Sequence, residues 1–268
     1  MYIPFLPVST QSKDTLVSEE KLSDPKLMFF EFGRQAMRYG LDVLALREGD
    51  SILAPASLCS AVLEPFRHLG LKVRLYDLDQ KMKCRLDNIS ETIDDSTKAI
   101  YIVHYFGVNN DLKDIRRFCD ERNILLIEDC ALAGFHSDYH NSCGDISIYS
   151  LWKFHAVPDG AILKLNNSAT FLAQPQGSPP SSATTILRLM KIAVKKCIMR
   201  GIFPSAVLGF IRGQKQFHSE LMISDIDIGS SLPISRISQT AFDIFNKEDL
   251  EAIASIRRRN FNALSEYC

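Results

Sequence analysis

Between about Glu31 and Leu165, short and strongly apolar runs alternate with helical segments, and this alternation constrains the fold more than any other feature. SILAP (Ser51–Pro55), KVRLYDLD, KAIYIVHYFG (Lys98–Gly107), NILLIEDC, DISIYSLW and AILKL read as strands. Ala36–Leu46 carries apolar residues at helical spacing and ends at the turn Glu48-Gly49-Asp50; Ser60–Leu69 reads as a helix closed by Gly70. Asp111–Arg122 is amphipathic, with Asn110 or Asp111 as its N-cap. Strands apolar on both faces and separated by helices predict an α/β fold, a mostly parallel sheet with helices on both faces. In such sheets ligands collect beyond the carboxyl ends of the strands. Those ends carry Pro55, His104-Tyr105, Glu128-Asp129 and Ser150, so functional residues are expected there.

Composition removes several classes of function. Thirty-one basic side chains stand against thirty-two acidic ones, a formal charge of −1 that offers nucleic acid no basic surplus. The seven cysteines are scattered without C-x-x-C spacing and several lie in apolar runs, as expected of reduced thiols in a cytoplasmic protein. MYIPFLPVSTQSKD has no basic region followed by an apolar run and does not read as a signal peptide. The stretch 192–211 is interrupted by Lys195, Lys196, Arg200 and Pro204 and does not predict a transmembrane segment. It belongs to a basic helix expected to pack on its own protein rather than on a membrane surface. After Leu165, NNSATFLAQPQGSPPSSATT reads as a flexible excursion; the basic helix Ile186–Ile198 and a second helix, Leu250–Tyr267, follow.

Two motifs carry chemistry: I-E-D-C-A at a strand end and, about twenty residues on, Y-S-L-W-K-F-H-A-V-P-D-G-A. Singly, an acid pair at a strand end is often a metal site or a plain cap, and a lysine after an apolar strand is often a solvated end. Together they match the needs of pyridoxal phosphate: a lysine amine for covalent attachment and a carboxylate that keeps the pyridine nitrogen protonated. The cofactor's phosphate wants amides at a helix N-terminus, and Gly33-Arg34-Gln35 opens the first long helix. His104 reads as a structural histidine. His136 and His140, spaced i,i+4 in a loop-like stretch, read as surface residues rather than metal ligands, and Arg257–Arg259 as a solvated helix face. No G-x-G-x-x-G follows the first strand, which argues against a dinucleotide-binding domain.

From Phe32 to about Leu165 the chain resembles the DegT/DnrJ/StrS family of sugar aminotransferases. FGRQAM, LREGDSILAPASLC, HLGLKVRLYDLD, STKAIYIVHYFGV, IEDCA and GDISIYSLWKFHAVPDGAIL run in the family's order. The resemblance implies the large domain of a fold-type-I pyridoxal-phosphate enzyme, in which Lys153 joins the cofactor and shuttles a proton. Asp129 would face the pyridinium nitrogen. Ser150 and the amides of Gly33, Arg34 and Gln35 would hold the phosphate, and Cys59 would stand where many relatives place an aromatic ring against the cofactor face. Four departures imply altered or weakened catalysis. Leu132 replaces a common Gln or His, Ala161 replaces a second glycine, Trp152 is bulkier than usual before the lysine, and the spacing from Ser150 to Lys153 is shorter than usual.

The implied activity is amino transfer from an amino-acid donor to a keto-sugar nucleotide, for polysaccharide or amino-sugar biosynthesis. A catalytically impaired homologue serving as a binding or assembly partner is the alternative. A sugar dehydratase of the same fold is disfavoured by Lys153, since that branch carries His. The expected division is an N-terminal segment (1–30), the cofactor-binding α/β large domain (31–165), a linker with a helical excursion (166–245), and the start of a truncated small domain (246–268). A homodimer is expected, with 230–236 as a loop donated to the partner and Leu250, Ile253 and Ile256 lacking their usual cover.

Overall fold

The computed structural model describes residues 24–107, 110–135, 142–166, 175–199 and 232–265. Seven strands form one sheet: β1 (Leu27–Phe30), β2 (Ser51–Pro55), β3 (Lys72–Tyr76), β4 (Thr97–Val103), β5 (Leu125–Asp129), β6 (Ile146–Ser150) and β7 (Ala161–Leu165), in the order β1-β7-β6-β5-β4-β2-β3. Pairing from β3 through β6 is parallel; β7 runs antiparallel to both β6 and β1. The helices are α1 (Gly33–Val43), α2 (Ser60–His68), α3 (Leu86–Thr92), α4 (Lys113–Arg122), α5 (Ser182–Met199), α6 (Gln239–Asn246) and α7 (Leu250–Ser265). The α/β, mostly parallel architecture expected from the alternation is therefore present.

Side-chain alternation along the strands divides the core. Ile52, Ala54, Tyr101, Val103, Ile127, Ile146 and Ile148 face α1 and α2, where Ala36, Met37, Leu41 and Phe66 complete one cluster. On the opposite face Leu53, Ile100, Ile102 and Leu126 pack on Ile89 of α3 and on Ile115 and Cys119 of α4. Tyr149 and Ile162 pack there on Ala241 and Phe245 of α6. Gly40 lets α1 lie close to the sheet: a Cβ there would fall 2.6 Å from Ile146 Cδ1.

Several elements differ from the sequence-based expectation. LMFF pairs with β7 as the edge strand β1, so the sheet begins at Leu27, before residue 31. The short helices α3 and α6 are additional. Leu250 and Ile253 do not lack cover: Ile253 is buried and Leu250 packs on the third cluster, while Ile256 is partly covered. The reason is that α7 folds back onto the turn after β6. Within that anchor His155 Nδ1 meets Glu248 at 2.5 Å, and Arg257 donates to the Phe154 carbonyl at 2.7 Å while stacking on its ring. Phe261 and Leu264 are the large apolar residues that α7 leaves exposed. Glu248→Ala strands a buried imidazole and is expected to cost about 1–3 kcal/mol, read as a lower denaturation midpoint at unchanged slope.

Helix α5 is only half packed. Thr185 is buried and Arg188 reaches Glu31 at 2.8 Å, but Ile186, Leu187, Met190 and Val194 are exposed. No described helix is long and apolar enough to cross a membrane. The expected loop 230–236 is described from residue 232 on. There Arg236 bridges to Phe30 and donates to the Gly177 carbonyl at 2.8 Å, an engagement within its own chain. His136, His140 and Cys268 lie outside the described residues.

Candidate active site

The carboxyl ends of β5 and β6 bring most of the expected residues to one side of the sheet. Asp129 closes β5 and pairs in register with Ile148; Ser150 lies two residues further along β6, on the same face. The N-terminus of α1 sits above them, with a Cβ at Gly33 falling 4.0 Å from Ile148 Cγ2 and meeting nothing closer. The first N–H groups of a helix have no intrahelical acceptor, so this end offers donors toward the same edge.

The three amides of that turn are not equivalent. Gln35 N–H is already given to the Phe32 carbonyl at 3.1 Å. Its side-chain Oε1 accepts from Phe32 N–H at 3.0 Å, and its Nε2 donates to the Pro233 carbonyl at 3.0 Å. Gln35 thus shapes the turn, and Gly33 and Arg34 are the amides left to bind an anion. The Arg34 guanidinium stacks 5.3 Å from the Phe32 ring centre and lies 3.9 Å from Glu64.

Asp129 is buried and strongly held. Tyr101 Oη donates to Oδ2, and Ala131 N–H donates to Oδ1 at 2.7 Å. Burial raises the Tyr101 hydroxyl well above its ordinary range, and the neighbouring Asp129 carboxylate adds to this, so the phenol stays a donor. Tyr105 is pushed up to about 12, chiefly by burial and further by Asp129 and Cys59, while the Ser57 side chain opposes the rise; the Tyr105 hydroxyl donates to the Ser57 carbonyl. Cys59, exposed at the N-cap of α2, belongs to this same neighbourhood through its electrostatic effect on both phenols. Tyr101 was not singled out by the sequence reading. The available signal was the parity of two adjacent parallel strands, which puts 101, 103, 127 and 129 on one face.

Glu128 points to the other face, where it is committed. Gly144 N–H donates to its Oε1, and His104 Nε2 lies 2.9 Å from its Oε2. Asn110 N–H donates to His104 Nδ1 at 3.3 Å, which assigns the ring proton to Nε2 and makes His104 the donor to Glu128. Cys130 brings a third ligand-type atom within 4.8 Å of these two. The His–Glu pair is bound up in this structural network, consistent with His104 as a buried hydrogen-bonding residue.

Lys153 follows Ser150 by three residues, in the 3-10 turn Leu151–Lys153, and is partly buried. No hydrogen bond or ion pair joins its amine to Asp129 or to the α1 N-terminus. The turn is set by Gly160, whose carbonyl accepts from Leu151 N–H at 2.9 Å and whose N–H donates to the Glu31 carbonyl at 2.8 Å. Gly160 has φ +133°, and an added Cβ would lie 3.1 Å from Leu151 Cδ1. Gly160→Ala is therefore expected to cost about 1–3 kcal/mol and to weaken any ligand held by Lys153, checked by denaturation and by ligand titration. Ala161, next along, is buried in register with Ser150, and Leu132 packs on the same cluster. Both put methyl groups, not donors, on the Asp129 side. Asp159 is fully buried, accepting from Ser238 N–H at 2.9 Å, and burial raises its carboxyl above the usual range. A small cavity lined by Gly134, Phe154, His155, Ile253 and Arg257 lies beside α7, and none of the candidate residues lines it.

Residues 30–162 match the model of the DegT/DnrJ/EryC1/StrS aminotransferase family. Over 136 residues the chain is 29% identical to dTDP-4-dehydro-2,3,6-trideoxy-D-glucose 4-aminotransferase of Saccharopolyspora spinosa, covering 50% of this chain and 35% of that protein. It is 29% identical over 132 residues to GDP-perosamine synthase of Escherichia coli O157:H7, covering 48% and 36%. With GDP-4-keto-6-deoxy-D-mannose 3-dehydratase of Escherichia coli O55:H7 it shares 33% over 100 residues, covering 37% and 25%. The chain thus spans a quarter to about a third of these curated relatives' length. Among solved structures, 3-amino-5-hydroxybenzoic acid (AHBA) synthase superposes with a TM-score of 0.50 at 16% identity, covering 56% of this chain and 42% of that one. That likeness speaks to the fold.

Proposed function

Since residues 30–162 belong to the DegT/DnrJ/EryC1/StrS aminotransferase family, we propose that this chain binds pyridoxal 5'-phosphate and contributes to amino transfer from an amino-acid donor to a keto-sugar nucleotide. One observation carries the reading. A buried carboxylate, a strand-end hydroxyl and an open helix N-terminus share one edge of one face, and a lysine follows three residues after the hydroxyl.

The donor set suits the group. Gly33 and Arg34 N–H with Ser150 Oγ would hold its phosphate, since dianions favour helix N-termini and hydroxyl donors. Asp129 would hold the ring nitrogen in its protonated form, because a fixed carboxylate beside it favours the charged state. When bound, the cofactor supplies an electron sink for a carbanion at the amino-bearing carbon. Lys153 Nζ would anchor it covalently and, once released, move a proton at that carbon. Gln35 acts by shaping the turn, and Tyr101 by fixing the Asp129 carboxylate. Leu132 and Ala161 leave the ring's hydroxyl without donors from those two positions. One relative is a 3-dehydratase, but an amine at 153 favours amino transfer.

The test is a half-reaction. Purified protein loaded with pyridoxal phosphate and mixed with glutamate is expected to release 2-oxoglutarate with a shift of the cofactor's absorbance. A keto-sugar nucleotide should then restore the original spectrum. Cofactor binding with no such spectral change would overturn amino transfer as the function.

A further inference from the structure

The cofactor site draws on two stretches of chain whose strands are not neighbours. Gly33 and Arg34 follow β1, Lys153 follows β6, and β7 lies between those strands in the sheet. Past the last ladder pairs, Phe30 with Ala161 and Ala161 with Ser150, the backbone joins them through Gly160. Its carbonyl accepts from Leu151 N–H at 2.9 Å and its N–H donates to the Glu31 carbonyl at 2.8 Å. A glycine at φ +133° has no side chain with which to stiffen that joint. Helix α5 supplies a second link from outside the sheet. Arg188 Nη2 lies 2.8 Å from Glu31 Oε1, Nη1 lies 3.6 Å from Asp159 Oδ2, and the guanidinium carbon lies 4.9 Å from the centre of the Phe32 ring. Phe32 is the N-cap of α1, and Asp159 immediately precedes Gly160. Asp159 is fully buried, and its Oδ1 accepts from Ser238 N–H at 2.9 Å, so the far end of the link is itself anchored.

We propose that Arg188 is a positioning residue for the cofactor: it sets the distance between the anion-binding turn at Gly33-Arg34 and the lysine turn Leu151–Lys153, so that both engage one molecule together. This rests on the cofactor reading above, though not on its amino-transfer step. A guanidinium suits the task. Its planar fork meets two carboxylates and still presents a face to an aromatic ring, which a lysine ammonium cannot do. The hydrogen bond and ion pairs of Arg188 go to Glu31 and Asp159, not to Asp129, Ser150 or Lys153, so it acts through the two turns it joins. Removing it loosens the relation between those turns and leaves the donors of each in place. Groups that must act on one molecule together lose effectiveness steeply when misplaced, about a hundredfold for about 1 Å.

The experiment measures two amounts on the folded 268-residue chain at saturating pyridoxal phosphate, well below the denaturation midpoint. One is cofactor retained at equilibrium dialysis; the other is label on Lys153 after borohydride reduction and peptide mapping. Arg188→Met should lower the ratio of Lys153 label to retained cofactor about fivefold or more, because each turn still binds but not in concert. Arg188→Met/Asp159→Asn removes the cation together with its buried carboxylate, while the new amide oxygen still accepts from Ser238 N–H. It guards against a single variant that fails to fold, and should show the same lowered ratio. Arg188→Lys should recover the denaturation midpoint more fully than the ratio. Ile89→Val, a core change on the opposite face of the sheet, should lower the midpoint and leave the ratio at its wild-type value. A ratio unchanged in the folded Arg188 variants, or one that falls as far in Ile89→Val, would overturn the positioning role and leave Arg188 a stabilising residue only. A wild-type chain that retains no cofactor overturns the cofactor reading and this role with it, whereas wild-type label on Lys153 with unchanged ratios overturns this role alone.

Discussion

Lys153→Ala is expected to abolish the near-ultraviolet or visible absorbance band that the purified chain gives with pyridoxal phosphate, and to leave no cofactor on the protein after borohydride reduction. The loss should be complete, because only a covalent link through an amine produces a band that survives reduction on the polypeptide. The informative competitor is Lys164. Burial lowers its amine below the ordinary lysine range, which makes it the more reactive nucleophile on simple grounds. However, it lies on β7 opposite Ser147, on the face away from Asp129 and Ser150, with its amine 3.4 Å from Ser142 Oγ. A cofactor whose ring meets Asp129 and whose phosphate meets the α1 N-terminus has no path to it through the sheet. Reduction followed by peptide mapping separates the two: label on Lys153 supports the assignment, and label on Lys164 in either protein sinks it.

The sheet was readable because its strands are apolar runs with clear breaks, and five of the six segments read as strands have buried cores in the structure. β1 was not, since LMFF is only four residues long and its partner β7 lies more than a hundred residues away. α3 escaped for a different reason: Ile89 is its one buried residue, so no apolar periodicity marks it. The candidate site was legible as a set of strand ends. Its fixing contacts were not, because they join distant segments. Gln35 meets Pro233, His155 meets Glu248, and Glu31 and Asp159 meet Arg188. Helix α5 shows the limit plainly. The sequence gives an amphipathic basic helix and no means of telling which side turns inward; the ion pair to Glu31 decides it, and leaves the apolar side out.

Asp129→Asn is expected to slow the glutamate half-reaction by orders of magnitude while cofactor still binds. The amide is nearly isosteric: its oxygen can accept from Ala131 N–H, and its NH2 can donate to the Tyr101 hydroxyl oxygen, which reverses that hydrogen bond, so the fold should hold. What disappears is the negative charge that favours a protonated pyridine ring, and with it the electron sink. Tyr101→Phe separates charge from positioning. It keeps the anion but removes one of its two donors, so the rate should fall less than in Asp129→Asn and the pH dependence of the cofactor's absorbance should shift. Glu128→Gln supplies the contrast. Its carboxylate lies on the far face between His104 and Gly144, and the change should lower stability and leave the half-reaction rate of folded protein near wild type. Rates and denaturation midpoints measured on all three variants decide the matter. If Glu128→Gln stops the half-reaction while Asp129→Asn spares it, the acid at the ring has been misassigned, and the face of the sheet that binds the cofactor with it.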